Sequence, residues 1–406
     1  MNDILVVGAS LAGLRAVEAL RENGYDGGLT VVGAEHRLPY DRPPLSKQVL
    51  AGTWDPERTS LDPVGMTVDD LDVDWRLGRA ATALDLGSRE VELDGGSRIG
   101  FDGLVVATGA KVRRLPGQPE LVGLHVLRTL DDCLALKADF DATPGRVVVV
   151  GAGFIGSEVA ATARGAGIDV TVLEALPVPL QRALGDEMGS VCAAIHRDHG
   201  VDLRVSAGVD GFDADGSGRV SRVRLADGTA IDAEVVVVGV GVAPNTEWLE
   251  GSGLSVDNGV VCDETCLAAP GVVAAGDVAR WRNRRFDEVM RLEHWENAQE
   301  QGAHAARRLL AGDAAGPDTH SFEPVPWFWS DQYDRKIQVA GRTGADADVA
   351  VVEGSIDERR FVALYGRNGK AAGVLGMNRP AHVMRWRQAI AEGISWDDAL
   401  ARAAAT

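Results

Sequence analysis

The chain carries one glycine pattern twice, each time at the end of a short apolar run. Ile4-Leu5-Val6-Val7 leads into Gly8-Ala9-Ser10-Leu11-Ala12-Gly13, and Val147-Val148-Val149-Val150 leads into Gly151-Ala152-Gly153-Phe154-Ile155-Gly156. Runs of that kind read as strands buried on both faces of a parallel sheet. A helical stretch follows each loop, over 14–23 and 157–166, and then a second strand, over 29–32 and 169–173. Just past each second strand stands an acid, Glu35 or Glu174. The first glycine turns the chain off the strand, the second lets backbone approach a pyrophosphate, and the third lets the helix pack close. The pyrophosphate then rests on the unpaired N–H groups of the helix N-terminus. The acid receives the ribose hydroxyls; it lies 22 residues past Gly13 and 18 past Gly156, near the offset of about 20 that this geometry asks for. One such loop is weak evidence. Two complete units of strand, loop, helix, strand and acid predict two dinucleotide-binding folds.

The copies differ at one position. Ser10 stands where the second glycine belongs, and its Cβ is expected to crowd the phosphates while its hydroxyl offers a compensating donor. The second acid bears on cofactor choice. A carboxylate at Glu174 suits a ribose 2′-hydroxyl and repels a 2′-phosphate, and Ala175-Leu176-Pro177 supply no arginine to neutralise one. NADH is therefore expected over NADPH.

Charge and cysteine usage remove several other functions. The net charge of −19 on 406 residues argues against a nucleic-acid partner. One basic cluster interrupts it: Arg280, Arg282, Arg284 and Arg285, with Arg291 close behind. Such a run is either a solvated loop or a docking patch for an acidic protein. No stretch approaches the roughly 20 apolar residues of a membrane helix, and residues 1–3 run straight into the first strand, so the expectation is a cytoplasmic protein. Cysteines 133, 192, 262 and 266 form no Cys-x-x-Cys pair and no metal spacing; no metal is expected. Cys262 and Cys266 read as small structural residues rather than a redox dithiol, since no helix start lowers either thiol's pKa.

Further segments give the chain a recognisable relationship. Pro39-Tyr40-Asp41-Arg42-Pro43-Pro44-Leu45-Ser46-Lys47, Leu104 to Gly109, Gly271 to Asp277, Glu293 to Ala298, and Trp327-Phe328-Trp329-Ser330-Asp331-Gln332-Tyr333 stand in order around the two loops. With the flavin site first and the nicotinamide site second, the sequence resembles the two-dinucleotide-binding flavoproteins. Within them it resembles the NADH-dependent ferredoxin reductases of the putidaredoxin reductase and rubredoxin reductase type, nearly end to end. The resemblance implies bound FAD and a first site built from Gly8, Ser10, Leu11, Ala12, Gly13 and Glu35. It adds Arg42 and Lys47 near the flavin and its phosphates, and Ala81, Ala107, Thr108, Gly109 and Arg128 along the cofactor. Gly276 and Asp277 would meet the ribityl chain, and Glu293, His294 and Trp295 the ring. The nicotinamide nucleotide would be held by Gly151, Gly153, Phe154, Ile155, Gly156, Glu174 and Gly241, with Glu158 beside the nicotinamide. Lys47 and Glu158 are read as supporting hydride transfer. Alternation puts Trp327 and Trp329 on one strand face, where they are read as an electron exit.

The implied architecture is α/β: two Rossmann-like dinucleotide-binding domains, the NAD domain inserted in the FAD domain, plus a C-terminal α+β domain. The expected boundaries are 1–111 and 241–319 for FAD, 112–240 for NAD, and 320–406 for the last. In that last part, Asn368-Gly369 between apolar runs signals a hairpin. Pro380 to Glu392 reads as a helix stopped by Gly393, and Ser395 with Asp398 starts another. The implied activity is hydride transfer from NADH to FAD, then single electrons to a two-iron ferredoxin that serves a cytochrome monooxygenase or a dioxygenase. Without a dithiol, electrons leave the flavin directly. The alternatives are reduction of rubredoxin, a quinone or oxygen, or an NADH-sensing flavoprotein of the apoptosis-inducing-factor type.

Overall fold

A computed structural model describes residues 1–62, 68–312, 316 and 321–405. The valine-rich runs become central strands because both of their faces are covered. Ile4 to Val7 and Val147 to Val150 are all at most 5 % exposed.

The chain groups into two compact units. The first comprises Met1–Asp41, Thr59–Lys111 and Ala243–Pro326. Its main sheet runs Leu267–Ala269, Val272–Ala274, Gly103–Val106, Asp3–Val7, Gly28–Gly33 and Asp74–Leu77, parallel except at the first pair. The helix Leu11–Glu22 follows the central strand and packs on the helix Trp295–Ala311. Their approach is close: a Cβ on Gly302 would lie 2.3 Å from the Ala12 carbonyl oxygen.

The second unit comprises Arg42–Arg58, Val112–Val242 and Trp327–Thr406. It contains a parallel sheet in the order Asp202–Arg204, Asp169–Leu173, Arg146–Val150, Val235–Val238, Leu124–His125. It also contains an antiparallel sheet in the order Trp327–Gln332, Arg335–Gly341, Lys370–Met377, Arg360–Arg367, Asp348–Ser355. One hydrophobic core joins the two parts. Leu180, Leu184, Met188, Val191, Cys192 and Ile195 pack with Ile337, Val339, Phe361, Tyr365 and Leu375. The helix Gln181–Asp198 that supplies the first set is broken at Gly185, whose φ of 77° and ψ of 178° are not helical. Such a break orphans carbonyls of the first turn. Here they find donors in the C-terminal part, one in a loop and one in its antiparallel sheet: Thr343 Oγ1 to Ala183 O at 2.6 Å, and Tyr365 OH to Leu184 O at 2.9 Å. That is why the C-terminal part and the second loop fold as one unit, and why the grouping differs from the sequence order of the motifs. The segment 42–58 also joins this unit.

Local expectations in the C-terminal part match the observed backbone. Asn368 and Gly369 both have positive φ (50° and 73°) between Arg360–Arg367 and Lys370–Met377. The helix Pro380–Ala391 precedes Gly393 at φ 79°, and Ser395 caps Trp396–Ala404 by accepting from the Asp398 N–H. The starts of the two loop helices need correction. They begin at Leu11 and Phe154, three residues before the expected 14 and 157, because the third glycine sits inside the first helical turn rather than ahead of it.

Candidate active site

The two glycine loops repeat each other at atomic level. Gly8 has φ +127°, and a Cβ there would lie 2.0 Å from Ala107 O; Gly151 has φ +101°, with the matching contact 2.4 Å from Gly239 O. The N–H of Gly8 donates to Val32 O and that of Gly151 to Leu173 O, both at 2.8 Å. A Cβ on Gly13 would lie 1.9 Å from Gly8 O, and one on Gly156 would lie 2.0 Å from Gly151 O. First and third glycines are thus fixed by backbone they touch, which no side-chain rotation can relieve.

The second position is different. Ser10 has φ −127° and ψ −164°, and Gly153 has φ −72° and ψ 178°. Both are extended conformations open to any residue, so serine carries no strain. Its hydroxyl makes no capping bond to its helix. A Cβ on Gly153 would meet nothing within 4 Å. The space ahead of the second helix is therefore open, while the backbone N–H groups of the first turn have no intrahelical partners. This is a cradle of the right character for a pyrophosphate.

The acids stand differently. Glu174 is fixed over the second loop: its Oε2 accepts from the Ala152 N–H and its Oε1 from the Leu176 N–H, both at 2.9 Å. Glu35 accepts from Tyr40 OH at 2.5 Å.

The other residues expected around a flavin divide between the units. In the first unit, Gly276 approaches the first loop helix, its added Cβ lying 3.0 Å from Ala12 Cβ, and its N–H donates to Gln301 Oε1 at 2.9 Å. Asp277 follows, half-buried in the one-turn helix Gly276–Val278. Trp295 Nε1 donates to Asp41 Oδ1 at 2.6 Å, His294 is the N-cap of the helix Trp295–Ala311, and Glu293 pairs with Arg291 at 2.7 Å. Thr108 Oγ1 donates to Asn245 O, and Asn245 Nδ2 to Thr108 O, both at 2.8 Å, beside Ala107 and Gly109. Ala81 starts the strand Ala81–Asp85. Arg42, Lys47 and Arg128 belong to the second unit, where Arg42 Nη1 donates to Arg128 O at 2.7 Å. Gly241 there has φ +93°.

The densest chemistry in the second unit surrounds Glu158, two residues past Gly156 and 2 % exposed. Its Oε2 accepts from Ser46 Oγ at 2.5 Å and from Lys47 Nζ at 3.0 Å. Its Oε1 accepts from Ser330 Oγ at 2.8 Å and the Asp331 N–H at 3.3 Å. Sequence reasoning gave no role to Ser46, Ser330 or Asp331. The signal lay in the alternation of the strand: if Trp327 and Trp329 share one face, Phe328, Ser330 and Gln332 share the other. Trp327 and Trp329 stack with ring centroids 5.2 Å apart, and Phe328 meets Phe154 edge-on at 4.8 Å.

Ser157, beside Glu158, is tied by another route that sequence reasoning missed to the hairpin that Trp327–Gln332 makes with Arg335–Gly341. His196 Nε2 lies 3.1 Å from Ser157 Oγ, and its Nδ1 lies 2.8 Å from Tyr333 OH. Burial, then the neighbouring His199 and Arg197, pushes the His196 pKa down to about 4, so the ring is neutral at pH 7. Because the folded-state pKa lies below the unfolded one, the unfolded chain binds more protons between pH 6.5 and 4. The resulting stability is present above that window and is lost as the pH falls through it, by about 3 kcal/mol. In chemical unfolding at pH 7 and pH 4, His196→Gln should show a loss smaller than the wild type's by that amount. Equal losses in the two proteins would contradict this.

All four cysteines are free and buried. Burial pushes the Cys262 thiol up to about 12 and that of Cys266 well above its usual range, so neither is an activated redox thiol. The basic cluster is internally compensated: Arg280 pairs with Asp257, Arg282 with Asp287, and Arg284 with Glu323 at 3.7 Å, while Arg285 Nε donates to Glu323 O. Among the described residues no helix is long and apolar enough to cross a membrane, and no group of three or more His, Cys, Asp or Glu could hold a metal.

Comparison with known proteins places these features. Residues 2–302 match the pyridine nucleotide-disulphide oxidoreductase family, and residues 327–406 match the reductase C-terminal family. The chain is 40 % identical to rhodocoxin reductase of Rhodococcus erythropolis over 391 residues, covering 96 % of this chain and 89 % of that protein. It is 36 % identical to the ferredoxin–NAD(+) reductase component of the anthranilate 1,2-dioxygenase system of Burkholderia cepacia, covering 97 % and 95 %. Among solved structures it resembles the covalent putidaredoxin reductase–putidaredoxin complex at a TM-score of 0.89 and 32 % identity, over 96 % of this chain and 93 % of the matched one.

Proposed function

This chain belongs to the pyridine nucleotide-disulphide oxidoreductase family, and we propose that within it the protein is an NADH-dependent ferredoxin reductase of an oxygenase system. It is an oxidoreductase that works with a flavin and a pyridine nucleotide. The observation that carries the reading is the duplicated cradle, in which Gly8 and Gly13, and Gly151 and Gly156, are held by the same close backbone contacts. Two such cradles fit two dinucleotides, FAD in the first and NADH in the second. Bound FAD supplies the conversion of a two-electron delivery into two one-electron deliveries.

The chain's own residues bind and orient. The first loop with Glu35, and Gly276-Asp277 beside Ala12, would hold FAD. The second loop would hold the NADH pyrophosphate, and Glu174 its adenosine ribose. Glu158 and Lys47 would fix the nicotinamide end. Trp327 and Trp329, stacked together, would form the face through which electrons leave. The acceptor is a two-iron ferredoxin, as the kinship with reductase components of oxygenase systems supports. Docking through Arg280, Arg282, Arg284 and Arg285 is the finer part of the proposal. It requires an acidic partner to compete with Asp257, Asp287 and Glu323, so association would weaken steeply with salt. A cytoplasmic location completes the reading.

The test is stopped-flow reduction of the purified yellow protein by NADH and, separately, by NADPH, followed by mixing with a two-iron ferredoxin. Rapid bleaching by NADH with prompt reduction of the ferredoxin is the expected result. Bleaching with no onward transfer would turn the reading toward another acceptor or a sensor. A protein that purifies without flavin would overturn it.

A further inference from the structure

Glu158 is held from two sides by donors of unequal origin. Ser46 and Lys47 come from the segment entering the second unit; Ser330 and the Asp331 N–H come from the C-terminal strand, 172 residues away along the chain for the serine. A carboxylate has about four lone-pair directions, and all four donors are present, so the group is fixed in orientation as well as in place. Behind Ser330 stands Gln332, whose Nε2 donates to Ser330 Oγ at 3.2 Å. Both residues are fully buried. That contact uses a lone pair of the hydroxyl and leaves its proton for Glu158. The hairpin is anchored beside them as well, through Tyr333 and His196 to Ser157. Two consecutive residues of the loop helix, Ser157 and Glu158, are thus bolted to one hairpin.

We infer that Ser330 is a positioning residue of the nicotinamide site: it aims the Glu158 carboxylate, and through it the Lys47 ammonium, so that the C-terminal strand is a working part of hydride transfer. The inference rests on the proposed role of Glu158. Lys47 Nζ has Glu158 as its partner among the described residues, with two further N–H bonds to direct. Removing the Ser330 hydroxyl leaves that carboxylate oxygen with the longer Asp331 N–H bond alone, so the carboxylate is less firmly aimed, and the ammonium with it.

The test is Ser330→Ala in the flavin-loaded protein, with Ser330→Thr as the conservative control and Glu158→Gln as the reference. Removing a hydrogen bond to a charged group corresponds to about tenfold or more in an equilibrium or rate. Ser330→Ala should therefore slow flavin reduction by NADH about tenfold, and Ser330→Thr should restore most of the rate. A binding readout goes with it. Calorimetric affinity for NAD+ should fall while affinity for ADP-ribose, which lacks the nicotinamide, stays unchanged. Combined with Glu158→Gln, Ser330→Ala should add no further loss, because the two act through one group. If Ser330→Ala weakens NAD+ and ADP-ribose equally, or adds its full loss to Glu158→Gln, the residue is only structural and the inference fails. If Glu158→Gln itself reduces at the wild-type rate, the reading of Glu158 fails first.

Discussion

Alanine at Gly156 is expected to give a yellow protein that NADH no longer bleaches. The added Cβ would lie 2.0 Å from Gly151 O and 3.3 Å from Val149 Cγ1. Neither neighbour can yield. Val149 is fully buried in the central strand, and Gly151 is itself pressed toward Gly239 O. The helix Phe154–Gly165 must therefore move outward, carrying its first-turn N–H groups away from the position proposed for the pyrophosphate. A displacement of about 1 Å in a positioning element costs on the order of 10²-fold in rate, and the loss here falls on binding too. The mirror-image change, Gly13→Ala, meets the same obstacle 1.9 Å from Gly8 O in the first loop and should cost the flavin itself. Absorbance at the flavin band and stopped-flow bleaching separate the two outcomes. A Gly156→Ala protein that loses its flavin while Gly13→Ala keeps it would reverse the order of the two sites, and wild-type reduction in Gly156→Ala would falsify the nicotinamide assignment.

These loops were legible in the sequence because their chemistry is local. A glycine, four residues and a glycine at the end of a buried strand already dictate the turn, the positive φ and the close helix. Asn368-Gly369 was legible for the same reason, as was the cap at Ser395. The starts of the loop helices were misplaced by one turn because the pattern gives the third glycine no sign of being helical. What could not be read was anything joining distant segments. Ser330 reaches Glu158, and Tyr365 reaches the carbonyl that the Gly185 break exposes, across 172 and 181 residues. Neither carries a local signature, since a serine in a strand and a buried tyrosine are ordinary. His196 shows the limit most sharply. Nothing in its neighbours predicts a buried, neutral imidazole, because the burial comes from a hairpin more than 130 residues later. Segment 42–58 belongs with the second unit for a similar reason: its contacts to Glu158, and to Thr162 through the Ser46 carbonyl, are made by folding alone.

If the proposed choice of NADH resides in Glu174, its replacement by alanine should let NADPH serve nearly as well as NADH. The carboxylate is rigid, with one oxygen on the Ala152 N–H and the other on the Leu176 N–H. It still has lone pairs to spare; in the proposed role these would receive ribose hydroxyls, and the charge would repel a 2′-phosphate. Removing it takes away both effects: NADH loses one or two charge-assisted hydrogen bonds, and NADPH loses a like-charge repulsion. At about 1.5–3 kcal/mol for a hydrogen bond to a charged group, and a comparable gain on the NADPH side, the ratio of the two kcat/KM values should change by at least about 10²-fold. The two N–H groups that Glu174 now occupies would be freed in the variant, and free backbone donors favour an anion. A Glu174→Arg variant should go further, since a guanidinium binds phosphate through paired donors. The measurement is kcat/KM for each nucleotide with an artificial electron acceptor, which leaves the ferredoxin step out of the comparison. If alanine lowers both values equally, Glu174 serves the loop rather than the ribose, and the preference for NADH must lie elsewhere. If NADPH gains while NADH falls, the choice of nucleotide resides in this one carboxylate, held in place by the backbone of the loop it overlooks.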